Sequence, residues 1–205
     1  EGEIVFNTSM TGYQEILTDP SYAKQIIVMT YPEIGNYGIN DFDFESRYPA
    51  LVGFIVKNYS KQESHYKSRQ SLSNYLKDKN IVALENIDTR SLVKKIRETG
   101  CMNAFITSND VDDVFIKEKI AQLQEFQIKN DIILDVSVKE KYFYNNQGSI
   151  KMAFIDYGAK SGILKSLEKR GCNLTVYPAS VNAKEILEEN YDALFLSNGP
   201  GNPAD

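Results

Sequence analysis

The chain has 205 residues but only one histidine, two cysteines and no tryptophan. A zinc site takes three or four His, Cys or carboxylate ligands, usually at short spacing. The histidine, His65, is far along the chain from both Cys101 and Cys172, so we expect no metal site. The cysteines form no Cys-x-x-Cys pair and indicate two reduced thiols in a cytoplasmic protein.

Long apolar runs and an excess of positive charge are also missing. No stretch approaches the roughly 20 apolar residues of a membrane span. The first residues, 1–4, lack the basic region and apolar core of a secretory signal. They include no initiator Met and lead almost at once into a strand, so we expect a truncated or processed N-terminus. The net charge of −5 argues against binding to nucleic acid or to an anionic membrane.

The first part of the chain alternates short apolar runs with helical patterns. At 205 residues the chain can hold one large or two small domains, and its hydrophobic residues, 42% of the sequence, are enough for real cores. Runs at 25–30, 51–56 and 81–84 predict strands. Helices are predicted after the caps Ser71 and Asp88, and another around 114–126, whose start the acidic run Asp110, Asp112 and Asp113 would cap. The alternation indicates an α/β domain over 1–149.

A polar segment at 144–149 predicts a linker, and a regular pattern follows it. Strands are predicted at 152–155, 174–177 and 193–196. One helix should open at Gly158 and close at Gly171, and a second is predicted over 183–189. This βαβαβ order predicts the first half of a doubly wound parallel sheet, an incomplete domain over 150–205. Such folds bind ligands at the carboxyl ends of their strands.

An apolar run stops abruptly at Ser197-Asn198-Gly199-Pro200-Gly201, and the segment continues to Pro203. The glycines would let backbone N–H groups turn toward a ligand, and two convergent donors suit the oxyanion of an acyl-transfer reaction. The alternative is a tight turn after a buried strand, which the glycine pattern alone favours by about two to one. The full segment resembles the oxyanion loop of class I glutamine amidotransferases.

The first part carries a more specific resemblance. Residues 6–22, Phe-Asn-Thr-Ser-Met-Thr-Gly-Tyr-Gln-Glu-Ile-Leu-Thr-Asp-Pro-Ser-Tyr, resemble the N-terminal signature of the small (glutaminase) subunit of carbamoyl-phosphate synthetase. Further matching blocks lie at 30–36, 86–90, 96–100 and 157–160. The resemblance runs through nearly the whole chain in the family's order. Other class I amidotransferases, such as those that make anthranilate or GMP, lack this first domain.

The resemblance assigns glutamine binding to Ser21, Gly199 and Gly201, the glycines acting through their backbone groups. From the residues alone, Ser21 after Asp-Pro predicts a turn hydroxyl that bonds its own backbone. In the family the nucleophilic Cys follows the glycine loop, so it would lie beyond residue 205. We therefore assign no catalytic residue within the chain. Asn202 stands where many members carry Asp, a change that leaves the backbone donors unaffected.

The resemblance implies a glutamine-hydrolysing ligase component that passes ammonia to a synthetase, which makes carbamoyl phosphate from bicarbonate and ATP for pyrimidine or arginine synthesis. That partner, a large subunit or a fused domain, would hold ATP and Mg²⁺, and this chain would hold no cofactor. Two alternatives stay open: an ammonia-dependent homologue that has lost the nucleophile, and a non-catalytic docking or assembly module. The 205 residues alone are expected to be inactive.

Overall fold

Two short segments of the N-terminal half belong to the second of two structural units. A computed structural model describes residues 1–128 and 131–202. Its first unit comprises 1–18, 24–44 and 49–128, and its second comprises Asp19–Ala23, Glu45–Tyr48 and the described residues from 131 onward. Pro203 of the predicted loop and the last two residues of the predicted domain lie outside the described ranges. The domain boundaries 1–149 and 150–205 stay a prediction.

A five-stranded sheet is the centre of the first unit. The strands of this unit are β1 Gly2–Asn7, β2 Gln25–Met29, β3 Glu33–Ile34, β4 Gly53–Ile55, β5 Asn58–Tyr59, β6 Val82–Leu84 and β7 Met102–Ala104. The main sheet has the order β6-β4-β2-β1-β7, and only β7 is antiparallel to its neighbour. β3 and β5 pair separately. The β-branched runs predicted as strands are thereby confirmed as β2, β4 and β6.

Both faces of this sheet are covered. Ile26 and Val28 of β2 lie in a buried cluster with Ile96, and the alternate residues Ile27 and Met29 are equally inaccessible to solvent. Successive side chains of a strand point to opposite faces, so β2 is buried on both sides, as is usual for parallel sheets.

Three of the four helices described in the first unit begin at caps that the sequence predicts. They are α1 Tyr13–Thr18, α2 Leu72–Asp78, α3 Thr89–Thr99 and α4 Asp113–Glu125. The side chains of Ser71, Asp88 and Asp112 each accept a hydrogen bond from a backbone N–H in the first turn of α2, α3 and α4. These bonds satisfy donors that a helix leaves unpaired at its start, so the predicted caps are confirmed.

The second unit is built on a four-stranded sheet. Its strands are β8 Tyr142–Phe143, β9 Ile150–Asp156, β10 Cys172–Pro178 and β11 Ala193–Leu196, and its helices are α5 Ile132–Val136, α6 Ser161–Glu168 and α7 Ala183–Leu187. The strand order is β11-β9-β10-β8, with β9 parallel to both β10 and β11. The predicted βαβαβ order and the α/β fold class are confirmed. Among the described residues, no helix is both long and apolar enough to cross a membrane.

The segment predicted as a linker instead runs along β10. The Tyr144 N–H donates to the Leu174 carbonyl at 3.0 Å. The Asn145 side chain accepts from the Leu174 N–H at 2.8 Å and donates to the Cys172 carbonyl at 2.9 Å. The linker prediction was wrong because a polar side chain such as Asn145 can take the place of a strand's backbone groups along a sheet edge.

Two buried tyrosines of the first unit differ in their hydrogen bonding. The Tyr13 hydroxyl donates to the Gly38 carbonyl at 2.8 Å, and its ring stacks on Tyr37. The Tyr75 hydroxyl is buried and has no partner among the described residues. Burial raises the pKa of Tyr75 to about 12. A buried hydroxyl without a partner costs about 1–3 kcal/mol relative to one that is bonded.

Tyr75→Phe should therefore raise the free energy of unfolding by about 1 kcal/mol, and the matched change Tyr13→Phe should lower it by about 1 kcal/mol. Urea unfolding followed by circular dichroism measures both. The unfolded chain ionises Tyr75 near pH 10 and the folded chain only near pH 12. Between these two values the unfolded chain has lost the Tyr75 proton and the folded chain has kept it, so the free energy of unfolding falls as the pH rises. This part of the alkaline loss of stability should be absent from Tyr75→Phe. Equal destabilisation by the two changes would contradict the prediction.

Candidate functional site

The carboxyl ends of β9 and β11 lie side by side. Ile155 of β9 is in register with Leu196 of β11. Just beyond, the Ser197 N–H donates to the Ile155 carbonyl at 3.1 Å, and the Tyr157 N–H donates to the Ser197 hydroxyl at 2.9 Å. In the sheet, β9 lies between β10 and β11. The chain passes from β9 to β10 on one side and then to β11 on the other, so its winding reverses between β9 and β11. Doubly wound proteins bind ligands at this point.

A buried carboxylate shapes the loop after β9. Asp156 is 6% exposed and accepts hydrogen bonds from the N–H groups of Val138, Gly158 and Ala159 at 2.7–3.0 Å. Gly158 has φ +111°, a conformation that favours glycine, and an added Cβ would lie 2.8 Å from Val136. The predicted helix start at Gly158 was therefore wrong: the chain turns there, and α6 begins at Ser161.

The two glycines after β11 are required for different reasons. A Cβ on Gly199 would lie 2.1 Å from the Tyr157 carbonyl oxygen, so only glycine permits this close approach. Gly201 has φ +91°, and its nearest neighbour would be 3.8 Å from an added Cβ, so its requirement is conformational. Within the described ranges, neither glycine's N–H has a hydrogen-bond acceptor.

Ser21 lies beside this glycine turn. It belongs to a 3₁₀ helix, Pro20–Tyr22, in which the Asp19 carboxylate accepts from the Ser21 N–H at 2.9 Å. The Ser21 hydroxyl accepts from the Asn198 side-chain amide at 2.7 Å. The residues alone predicted that the Ser21 hydroxyl bonds its own backbone. The structure shows otherwise, because the Asp19 carboxylate makes the local hydrogen bond to the Ser21 N–H.

Two further contacts hold the N-terminal segments in the second unit. The Lys160 ammonium lies 3.2 Å from the Asp19 carboxylate. Glu45 accepts from the Gly162 N–H through its carboxylate and from the Ser161 N–H through its backbone carbonyl, both at 2.8 Å. Glu45 therefore caps α6, because the side chain of the helix's own N-cap residue, Lys160, makes no capping hydrogen bond. Sequence reasoning missed Glu45 and Asn198, because their partners are more than a hundred positions away.

The chain's own thiols are poorly suited to act at the turn. Cys172 is buried at the start of β10, about 20 Å along a seven-residue strand from its carboxyl end. Cys101 is exposed in the first unit, where hydrogen bonding to Glu3 and its negative charge raise the pKa of the thiol and disfavour the reactive thiolate. His65 is an exposed residue whose ring lies at a tilt against that of Tyr66, with the ring centroids 4.8 Å apart. The described residues include no group of three His, Cys, Asp or Glu placed to hold a metal.

Two family models match the chain in the order of its units. Residues 153–205 match the model described as glutamine amidotransferase class-I, which gives the class of the sheet that carries the glycine turn. Residues 1–106 match the model described as carbamoyl-phosphate synthase small chain, CPSase domain. The chain therefore belongs to the carbamoyl-phosphate synthase small chain family.

Curated relatives resemble the chain over its full length. The carbamoyl phosphate synthase small chain of Caldanaerobacter subterraneus subsp. tengcongensis is 48% identical over 100% of this chain and 54% of its own length. The small chain of Archaeoglobus fulgidus is 46% identical over 99% of this chain and 56% of its own. The pyrimidine-specific small chain of Bacillus subtilis is 45% identical over 100% and 55%. The chain thus spans about half the length of the curated relatives it matches.

The close approach of Gly199 to Tyr157 predicts an unequal response to two alanine substitutions. Gly199→Ala should destabilise the second unit by about 3 kcal/mol through overpacking against backbone. Gly201→Ala should cost about 1–2 kcal/mol through its positive φ alone. Hydrogen exchange of the β9 and β11 amides measures both effects. A Gly199→Ala chain with wild-type protection would show that the backbone approach is not as tight as described.

Proposed function

We propose that this chain supplies the glutamine-binding turn of a carbamoyl-phosphate synthase small chain, which hydrolyses glutamine and delivers ammonia for carbamoyl phosphate synthesis. One observation carries the proposal. At the winding reversal between β9 and β11, the N–H groups of Gly199 and Gly201 have no acceptor among the described residues, and Asn198 of the same turn is bonded to Ser21. A ligand at this place meets backbone donors and a hydroxyl together.

The free N–H groups suit the chemistry of amide hydrolysis. When a thiolate attacks the side-chain carboxamide of glutamine, negative charge develops on the carboxamide oxygen, and fixed donors stabilise it. The turn is fixed before the ligand arrives. The β9–β11 ladder, the Tyr157–Ser197 hydrogen bond and the close approach of Gly199 to Tyr157 hold it. Gly199 and Gly201 are the proposed oxyanion and substrate donors, and Ser21 is a proposed substrate contact.

The nucleophile is proposed to come from outside the 205 residues. In class I amidotransferases, which the turn resembles, the catalytic Cys follows the glycine loop. Cys172 lies at the far end of its strand from the turn, and the raised pKa of Cys101 disfavours its thiolate, so neither is proposed as the nucleophile. The proposed partner is a synthase large subunit or a fused synthase domain, which would hold ATP and Mg²⁺. The cytoplasm is the proposed location.

The 205-residue chain alone should therefore release no ammonia from glutamine. A coupled glutamate dehydrogenase assay on the purified chain measures this. Turnover that survives the double change Cys101→Ser and Cys172→Ser would contradict the proposal, because it would require a nucleophile that the proposal does not place in the chain.

Gly201→Val in the full-length protein, assembled with its synthase partner, should lower glutamine-dependent synthesis by about 10²–10³, as the loss of one oxyanion donor does. Valine keeps the N–H, but it disfavours the φ of +91° that Gly201 adopts, so the donor moves out of position. Synthesis from ammonium chloride should be retained, because it bypasses the glutamine site. Carbamoyl phosphate formation is measured with each nitrogen source.

Gly171→Val is the matched control for this substitution. Gly171 has φ +80°, and an added Cβ would meet nothing within 4 Å, so the control carries comparable backbone strain at the turn after α6. It should keep both activities. Equal loss of both activities in Gly201→Val would indicate a folding defect. A wild-type protein that uses ammonia but not glutamine would instead support the ammonia-dependent homologue.

A further inference from the structure

The Asn198 side chain joins Ser21 to the loop after β9. Its amide nitrogen lies 2.7 Å from the Ser21 hydroxyl oxygen and 3.4 Å from the Gly158 carbonyl oxygen. A carbonyl oxygen can only accept a hydrogen bond, so the atom facing Gly158 is the NH₂ group and not the amide oxygen. Because Gly158 determines which way the amide is oriented, Asn198 is the donor in its bond to Ser21.

This bond determines what the Ser21 hydroxyl has left to offer. A serine hydroxyl carries one hydrogen to donate and two lone pairs to accept. Asn198 uses an accepting position, and no acceptor for the Ser21 hydroxyl hydrogen is found among the described residues. The hydroxyl therefore keeps its hydrogen and one lone pair for whatever binds beside the turn.

The Asn198 side chain does not satisfy all of its own hydrogen-bonding groups. Its amide oxygen is buried and has no donor within the described part of the chain. An unsatisfied buried carbonyl is destabilising, so an apolar side chain would suit this position better if packing were its only role. Departures of this kind from local rules concentrate at functional sites.

We propose that Asn198 is a positioning residue that holds the Ser21 hydroxyl as a hydrogen-bond donor for an acceptor oxygen of the bound substrate. The inference rests on the proposed function, in which the substrate is glutamine. It adds a preference: the ligand presents a carboxylate or carbonyl oxygen to the Ser21 hydroxyl hydrogen, which Asn198 leaves free.

The test compares Ser21→Ala, Asn198→Ala and the double variant in the full-length protein assembled with its partner, with L-glutamine as the probe. Ser21→Ala should raise the KM for glutamine about 10-fold, close to the lower end of what a hydrogen bond to a charged group contributes. Asn198→Ala should raise it about 3-fold, because the hydroxyl remains but can rotate. The double variant should match Ser21→Ala, because Asn198 acts only through that hydroxyl. The kcat should change by less than about twofold in each.

Two further variants separate positioning from a general structural role. Asn198→Asp replaces the donor by an acceptor that captures the Ser21 hydrogen, so it should raise the KM more than Asn198→Ala. Asn182→Ala removes a matched amide that caps α7 through its own bond to the Lys184 N–H and should leave the KM unchanged. Circular dichroism checks that every variant is folded.

The outcomes distinguish the two levels of the proposal. An unchanged KM in Ser21→Ala would overturn the glutamine contact itself and the inference with it. A raised KM in Ser21→Ala with no change in Asn198→Ala would overturn the positioning role alone. So would a double variant whose effect is the product of the two single effects.

Discussion

The site depends on the parallel pairing of β9 with β11. Because Ile155 and Leu196 are in register, the two strands end at the same level, and the loops that follow them are neighbours. A shift of one residue would turn each side chain to the other face of the sheet and would separate Gly199 from Tyr157. The buried Asp156 then closes the first loop with three hydrogen bonds. The backbone geometry of the turn thus follows from strand pairing and not from the glycines alone.

Hydrogen bonds between distant parts of the chain complete what the strand pairing begins. Glu45 caps α6, Lys160 pairs with Asp19, and Asn198 bonds Ser21. In each case a polar group of the amidotransferase part is satisfied by a segment of the N-terminal half. These contacts tie the two N-terminal segments to the second unit, which a division by sequence position does not show.

Local patterns allowed much of the fold to be predicted from the sequence. Apolar runs separated by turns gave the order of β9, α6, β10, α7 and β11, and the short polar side chains Ser71, Asp88 and Asp112 gave helix starts. The failures have physical causes. The polar segment at 144–149 was predicted as a linker, but the polar side chain of Asn145 bonds along a strand. The helix predicted from Gly158 begins later, because Gly158 turns the chain first. Motif resemblance led to Ser21, Gly199 and Gly201 as glutamine contacts, a prediction that stays one. Asn198 escaped notice because its partner is 177 positions away.

That separation has a consequence for how the molecule acquires its shape. Closing a loop of this length costs chain entropy before any contact compensates for it, and folds dominated by distant contacts form slowly. β9 and β10 are close in sequence and can pair early, whereas the Ser21–Asn198 bond requires the first residues and the last strand to have met. The ligand-facing hydroxyl is therefore expected among the last features to become ordered during folding, after the sheet that supports the turn.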